Sequence, residues 1–161
     1  VGERGTDLLV GQAGEDVGFG GGGREGARGF AGNDTIRGGG GRDKLIGRAG
    51  ADRLFGDAGA DDLFGGGRAD RLVGGRGRDE LVGGGGRDRF QVSRGDGRDR
   101  IEDFEDGLDR ILIRHGAERF ADLALRQRGD DAVVKYGARR DALVLEDMDV
   151  DDLSGRDVVF T

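Results

Sequence analysis

Ten acidic residues share one nine-residue period: Asp7, Asp16, Glu25, Asp34, Asp43, Asp52, Asp61, Asp70, Asp79 and Asp88. No insertion or deletion breaks the spacing between them. Glycine stands five positions before the acid in all ten units, from Gly2 to Gly83, and two positions before it in nine of the ten, Arg68 being the exception. Carboxylates repeated beside glycine turns, which expose backbone carbonyls, supply oxygen ligands only, and that is the donor set of a hard cation. Other chemistry lacks its residues. The chain has no cysteine and a single histidine, His115, so disulfides, Cys/His zinc sites and the two-histidine HExxH helix are excluded. Nothing around His115 spells a triad, and it reads as a loop histidine.

The elements that position the acids follow from the same phase. Two residues after each acid stand Leu9, Gly18, Ala27, Ile36, Leu45, Leu54, Leu63, Leu72, Leu81 and Phe90. Six glycine-rich residues and then three centred on Leu or Ile predict a tight turn followed by a very short strand, whose apolar residue alone points inward because strand residues alternate faces. Two units then form one coil of a flattened parallel roll, and each unit stacks on the next but one. At about 4.8 Å between stacked strands the acids form two rows. One holds Asp7, Glu25, Asp43, Asp61 and Asp79, continuing to Asp99; the other holds Asp16, Asp34, Asp52, Asp70 and Asp88. Neighbouring carboxylates about 5 Å apart repel by roughly 3 kcal/mol at an effective dielectric of about 20, more than so thin a core offsets. A Ca²⁺ ion between coils, held by carboxylates and turn carbonyls, supplies the missing staple. The reading is all-β: a Ca²⁺-stapled parallel β-roll. Two units are weak. Glu25 and Ala27 degrade the unit at 20–28, and Gly18 leaves a gap that Phe19 is expected to fill.

Collagen needs a glycine at the seventh position as well, and proline, which the chain lacks entirely. After Phe90 the register slips by two residues and is restored at Asp99 and Ile101. The expected organisation is ten repeats over 2–91, a degenerate eleventh at 92–102 and a small β-rich cap at 103–161. Alternation predicts strands at Arg110–Arg114, Leu123–Arg126, Ala132–Tyr136 and Asp141–Leu145, with helical turns at Glu118–Leu123 and Asp149–Leu153. The acids near Asp147 lack the glycine and glutamate of an EF-hand loop. A net charge of −7 argues against nucleic acid, with the arginines forming a solvated outer face. No apolar run reaches the ~20 residues of a membrane span. The start, Val1-Gly2-Glu3, has neither Met nor an apolar leader, so the chain reads as a piece of a longer one with an upstream domain.

The units at 38–46, 74–82 and 83–91 resemble GGxGxDxUx, the nonapeptide of repeats-in-toxin (RTX) proteins. The stretch Asp99-Arg100-Ile101-Glu102-Asp103-Phe104 and the ending Asp157-Val158-Val159-Phe160-Thr161 are similar to the carboxy-terminal region of serralysin-type members. The resemblance implies a right-handed roll whose tail caps it and carries an uncleaved type I secretion signal. It further implies export from a Gram-negative bacterium through that machinery, with folding outside the cell in calcium. By the family's rule, acids of units n and n+2 share an ion, giving Asp16/Asp34, Asp34/Asp52, Asp52/Asp70, Asp70/Asp88, Asp43/Asp61 and Asp61/Asp79, about six sites. Asp7, Glu25 and Asp99 are secondary candidates. The implied carbonyl ligands are those of Gly32, Gly39, Gly41, Gly50, Gly59, Gly66, Gly75, Gly77, Gly84 and Gly86. Three functions compete: a non-catalytic calcium module, the end of a larger enzyme such as a serralysin-like protease or a lipase, and an ice-binding or adhesive roll. The last wants ranked threonines, and the chain has only Thr6, Thr35 and Thr161.

Overall fold

In the computed structural model, which describes residues 4–5, 7–137 and 140–161, the apolar residue of each unit stacks into a central column. Leu45, Leu54, Leu63, Leu72 and Leu81 have no solvent exposure, and each such burial contributes about 1.5–3 kcal/mol. Two sheets face each other across this column. One is eight-stranded and parallel throughout, and stacks Ile36, Leu54, Leu72, Phe90, Ile111 and Val158 in direct register. The other is nine-stranded and stacks Ala27, Leu45, Leu63, Leu81, Ile101 and Leu145. Its far end turns antiparallel, where Ala142–Leu145, Asp131–Lys135 and Ala124–Arg128 close the sheet. There Val134, Tyr136, Leu143, Met148 and Leu153 extend the same core. No helix of the described residues is long and apolar enough to cross a membrane. The all-β parallel β-roll expected from the repeat is the fold observed.

Two local expectations are corrected. The strands are longer than three residues: Arg53–Gly59 pairs through its glycine half, with Asp57 opposite Gly75 and Gly59 opposite Gly77. Glycine weakens strand propensity but keeps the N–H and C=O that a ladder needs, so only the residues around each acid form the corner. Phe19 does not fill the gap at Gly18. It sits on the outer face, 43% exposed, and a cavity of about 130 Å³ remains among Leu9, Gly18, Ala27 and Ile36. Adjacent strand residues point to opposite faces, so a neighbour in sequence cannot substitute for a missing inward side chain. The acidic stretches of the cap are a three-residue 3₁₀ turn at Phe120–Asp122 and a hydrogen-bonded turn in which Asp152 N–H donates to Asp149 C=O at 3.1 Å.

Candidate metal centre

Each repeat acid sits at a corner just before a strand, as Asp34 precedes Thr35–Gly41. From Asp16 onward, its backbone N–H donates to Oδ1 of the acid one coil further on. On one edge the bonds run from Asp16 to Asp34 (2.9 Å), Asp34 to Asp52 (2.7 Å), Asp52 to Asp70 (2.7 Å) and Asp70 to Asp88 (2.8 Å). On the other they run from Glu25 to Asp43 (2.8 Å), Asp43 to Asp61 (2.8 Å), Asp61 to Asp79 (2.9 Å) and Asp79 to Asp99 (3.1 Å). The amide fixes Oδ1 and thereby aims Oδ2. Among the described residues, Oδ2 of Asp7, Asp34, Asp43, Asp52, Asp61, Asp70, Asp79 and Asp88 is buried and has no hydrogen-bond partner, and both carboxylate oxygens of Glu25 share that state.

The invariant first glycine of the unit makes room for this oxygen. A Cβ on Gly29 would lie 2.1 Å from Asp34 Oδ2, on Gly56 2.4 Å from Asp61 Oδ2, and on Gly65 2.5 Å from Asp70 Oδ2. None of these three glycines has a positive φ, so space and not backbone conformation selects them. The turn glycines are different. The ten whose carbonyls the resemblance implies as ligands all have φ between +91° and +159°, a region open to glycine. They pack so closely that a Cβ on Gly77 would lie 1.4 Å from Gly59 O. Carbonyls of one coil therefore face the glycine backbone of the next.

A buried carboxylate oxygen without a donor must take a proton or a cation, since leaving the charge bare is costly. Burial pushes Asp61 and Asp70 up to about 7, and Asp79 and Asp88 up to about 6. Asp99 is pushed up to about 8 and Glu25 up to about 7, by burial first and by neighbouring acids second. Asp52 is raised by burial as well. Among the described residues, no three His, Cys, Asp or Glu side chains converge on one point. A cation would thus be held by two carboxylates of successive coils together with turn carbonyls, an all-oxygen set that fits Ca²⁺ and neither Zn²⁺ nor Cu²⁺. Once bound, the ion would neutralise the orphaned oxygens and tie one coil to the next.

The expected acids do not all stand alike. Asp16 is half-buried, and its Oδ2 accepts the Gln12 N–H at 2.9 Å. Glu25, marked as a degraded position, is 2% exposed and within the ladder. Two acids went unrecognised. Asp109 accepts the Asp88 N–H at 2.8 Å through Oδ1 and the Glu105 N–H at 3.1 Å through Oδ2, and burial raises its pKa. Asp103 accepts Gly83 N–H (2.9 Å) and Gly84 N–H (2.7 Å). Asp109 lies 21 residues after Asp88, off the period, but like the repeat acids it immediately precedes a strand, Arg110–Arg114. That signal was available. The other edge stops where Leu143 takes the place opposite Asp99.

A family model of the RTX calcium-binding nonapeptide repeat matches residues 1–24, 28–63 and 64–101, more than half of the chain. Among solved structures, the extracellular lipase of Serratia marcescens is similar over 98% of this chain, with 18% identity and a TM-score of 0.57. The chain spans 40% of that lipase's length. The solution structure of a subunit from the Azotobacter vinelandii mannuronan C5-epimerase is similar over 94% of this chain and 81% of its own, with 27% identity and a TM-score of 0.45. No curated protein matches the chain.

Proposed function

The chain belongs to the RTX calcium-binding nonapeptide repeat family, and from that premise we propose that it is a secreted module that folds when calcium binds. The observation that carries this reading is the pair of rows of buried carboxylate oxygens with no donor. We assign the ions to Asp34/Asp52, Asp52/Asp70, Asp70/Asp88, Asp43/Asp61 and Asp61/Asp79, with turn-glycine carbonyls completing each shell. The Asp16/Asp34 pair joins them, its Oδ2 having first to release Gln12. In a low-calcium cytosol the rows repel and the chain stays open enough to thread a type I secretion channel. Outside the cell, calcium near 10⁻³ M meets sites with affinities on the order of 10⁻⁴ M, as in extracellular modules. At ten times Kd each site contributes about 1.4 kcal/mol by linkage, so about six sites rival the net stability of a whole domain. Residues 103–161 cap the roll and carry the export signal.

The module itself is non-catalytic in this reading. A second reading, in which it ends a larger extracellular enzyme, draws support from the lipase, of which this chain spans 40%. Circular dichroism and hydrodynamic radius in chelator, in magnesium and in calcium test the first reading. An expanded chain in chelator and in magnesium, becoming compact and β-rich in calcium, is expected. Magnesium substitutes poorly because it demands a tight octahedron and dehydrates reluctantly. A compact β-rich chain in chelator overturns it.

A further inference from the structure

Where the roll meets its cap, the sheet register carries a residue from outside the repeats into the corner of Asp79 and Asp99. Arg98 lies opposite Ala142, and Ala142 opposite Lys135. The strand Asp131–Lys135 runs antiparallel to its neighbour, so it travels toward that corner and Tyr136 is the next residue along. Gly97, one residue before Arg98, lies opposite Gly77, whose carbonyl is among those the resemblance implies as ligands. Lys135 is exposed and Tyr136 is 2% exposed, so the tyrosine takes the inward face. Asp99, at the end of this ladder edge, has Leu143 and no further acid opposite it.

Among the described residues the Tyr136 hydroxyl has no hydrogen-bond partner, and neither has Asp79 Oδ2 in the same corner. Leaving buried polar atoms unpaired is costly. Burial raises the pKa of the hydroxyl, and the charges of Asp99, Asp96, Asp141 and Asp79 raise it further, so the group stays neutral amid four carboxylates. Two of those acids are already engaged: Asp96 Oδ2 accepts the Ser93 N–H at 2.6 Å, and Asp141 Oδ2 accepts the Gly95 N–H at 3.2 Å. Asp99 Oδ1 accepts the Asp79 N–H at 3.1 Å. The phenol oxygen and Asp79 Oδ2 do not bond to each other, so one atom between them would satisfy both. The surrounding negative charge makes that atom a cation.

We infer that Tyr136 is a calcium ligand: its hydroxyl oxygen joins Asp79, Asp99 and the Gly77 carbonyl around one further ion at the seam between roll and cap. The inference rests on the calcium reading above and adds a ligand that no repeat supplies. Carboxylate, carbonyl and neutral hydroxyl make an all-oxygen set suited to Ca²⁺, and the ion ties the antiparallel cap strands to the last coil. Tyr136 is the sole tyrosine and the chain has no tryptophan, so this site can be read apart from the others. Terbium accepts calcium's oxygen ligands and emits under tyrosine excitation when it sits close to the ring. Terbium added to the calcium-loaded chain should give such emission. Asp99→Asn, which keeps an oxygen for the Asp79 N–H, should remove most of it, and Asp16→Asn, at the far end of the roll, should leave it unchanged. In a calorimetric calcium titration Tyr136→Phe should weaken one site about tenfold and spare the rest, with circular dichroism establishing that the variants are folded. The terbium comparison of parent and Asp99→Asn decides even where Tyr136→Phe fails to fold. A parent that folds in calcium without sensitised emission, undiminished emission from Asp99→Asn, or an unchanged calcium isotherm in a folded Tyr136→Phe overturns this inference and leaves the calcium reading standing. A parent that binds no calcium overturns both.

Discussion

Replacing Gly56 with Ala isolates the reason the first glycine of each unit is invariant. The new Cβ would lie 2.4 Å from Asp61 Oδ2, 2.5 Å from Gly74 O and 3.0 Å from Asp61 Cβ. Two of these contacts are far inside van der Waals distance, and one is with backbone of the next coil, which cannot rotate away. The Asp61 carboxylate must therefore swing, straining the bond that its Oδ1 accepts from Asp43 N–H at 2.8 Å. Overpacking of this kind costs about 1–3 kcal/mol, which for a chain of this size is about 2–4 °C of Tm for each kcal/mol. The control is Gly40→Ala. Its Cβ would meet nothing within 4 Å, its φ is not positive, and Ala58 already occupies the position paired with it. Gly40→Ala should be neutral or stabilise by up to about 1 kcal/mol, because it narrows the unfolded ensemble. Thermal unfolding of the calcium-loaded chains and their calcium midpoints by circular dichroism read both effects. A Gly56→Ala chain that melts with the parent, or a Gly40→Ala chain that falls equally far, would refute the spatial argument.

Asp61→Ala should raise the calcium midpoint more than Glu25→Ala, because it also strands the Asp43 N–H, a loss of about 1–3 kcal/mol; equal midpoints would sink the site map. In chelator, burial holds Asp61 and Asp70 near 7, Asp79 and Asp88 near 6 and Asp99 near 8 in the folded roll. Folded values above the unfolded ones mean stability that is fully present below about pH 4 and is lost as pH rises through about 6 to 8. The calcium-free chain should accordingly be more structured at pH 5 than at pH 8; a flat chelator profile over that range would contradict the burial of the acids. Gly18→Leu should fill the cavity of about 130 Å³ and stabilise by about 1–2 kcal/mol. Its Cβ would sit 3.9 Å from Ile36 Cγ2, an ordinary contact. An unchanged Tm would mean the gap relaxes without help.

The nine-residue phase of Asp and Leu determined the parallel roll, the pairing of each unit with the next but one, the two acid rows and the all-oxygen donor set. Those properties follow from a period of local sequence, because each coil repeats the contacts of the last. Strand ends, by contrast, depended on backbone pairing that side-chain types do not encode: the glycine half of Arg53–Gly59 joins the ladder because its partner Arg71–Gly77 supplies matching groups. The fate of Phe19 turned on which face its backbone presents, and the placement of Asp109 and Asp103 on loops that return from outside the period. Even the first glycine looked like a turn residue in sequence. Only the packed structure disclosed that it leaves room for the carboxylate oxygen five residues ahead, because that contact exists only when the corner has closed and the next coil has fixed the acid in place.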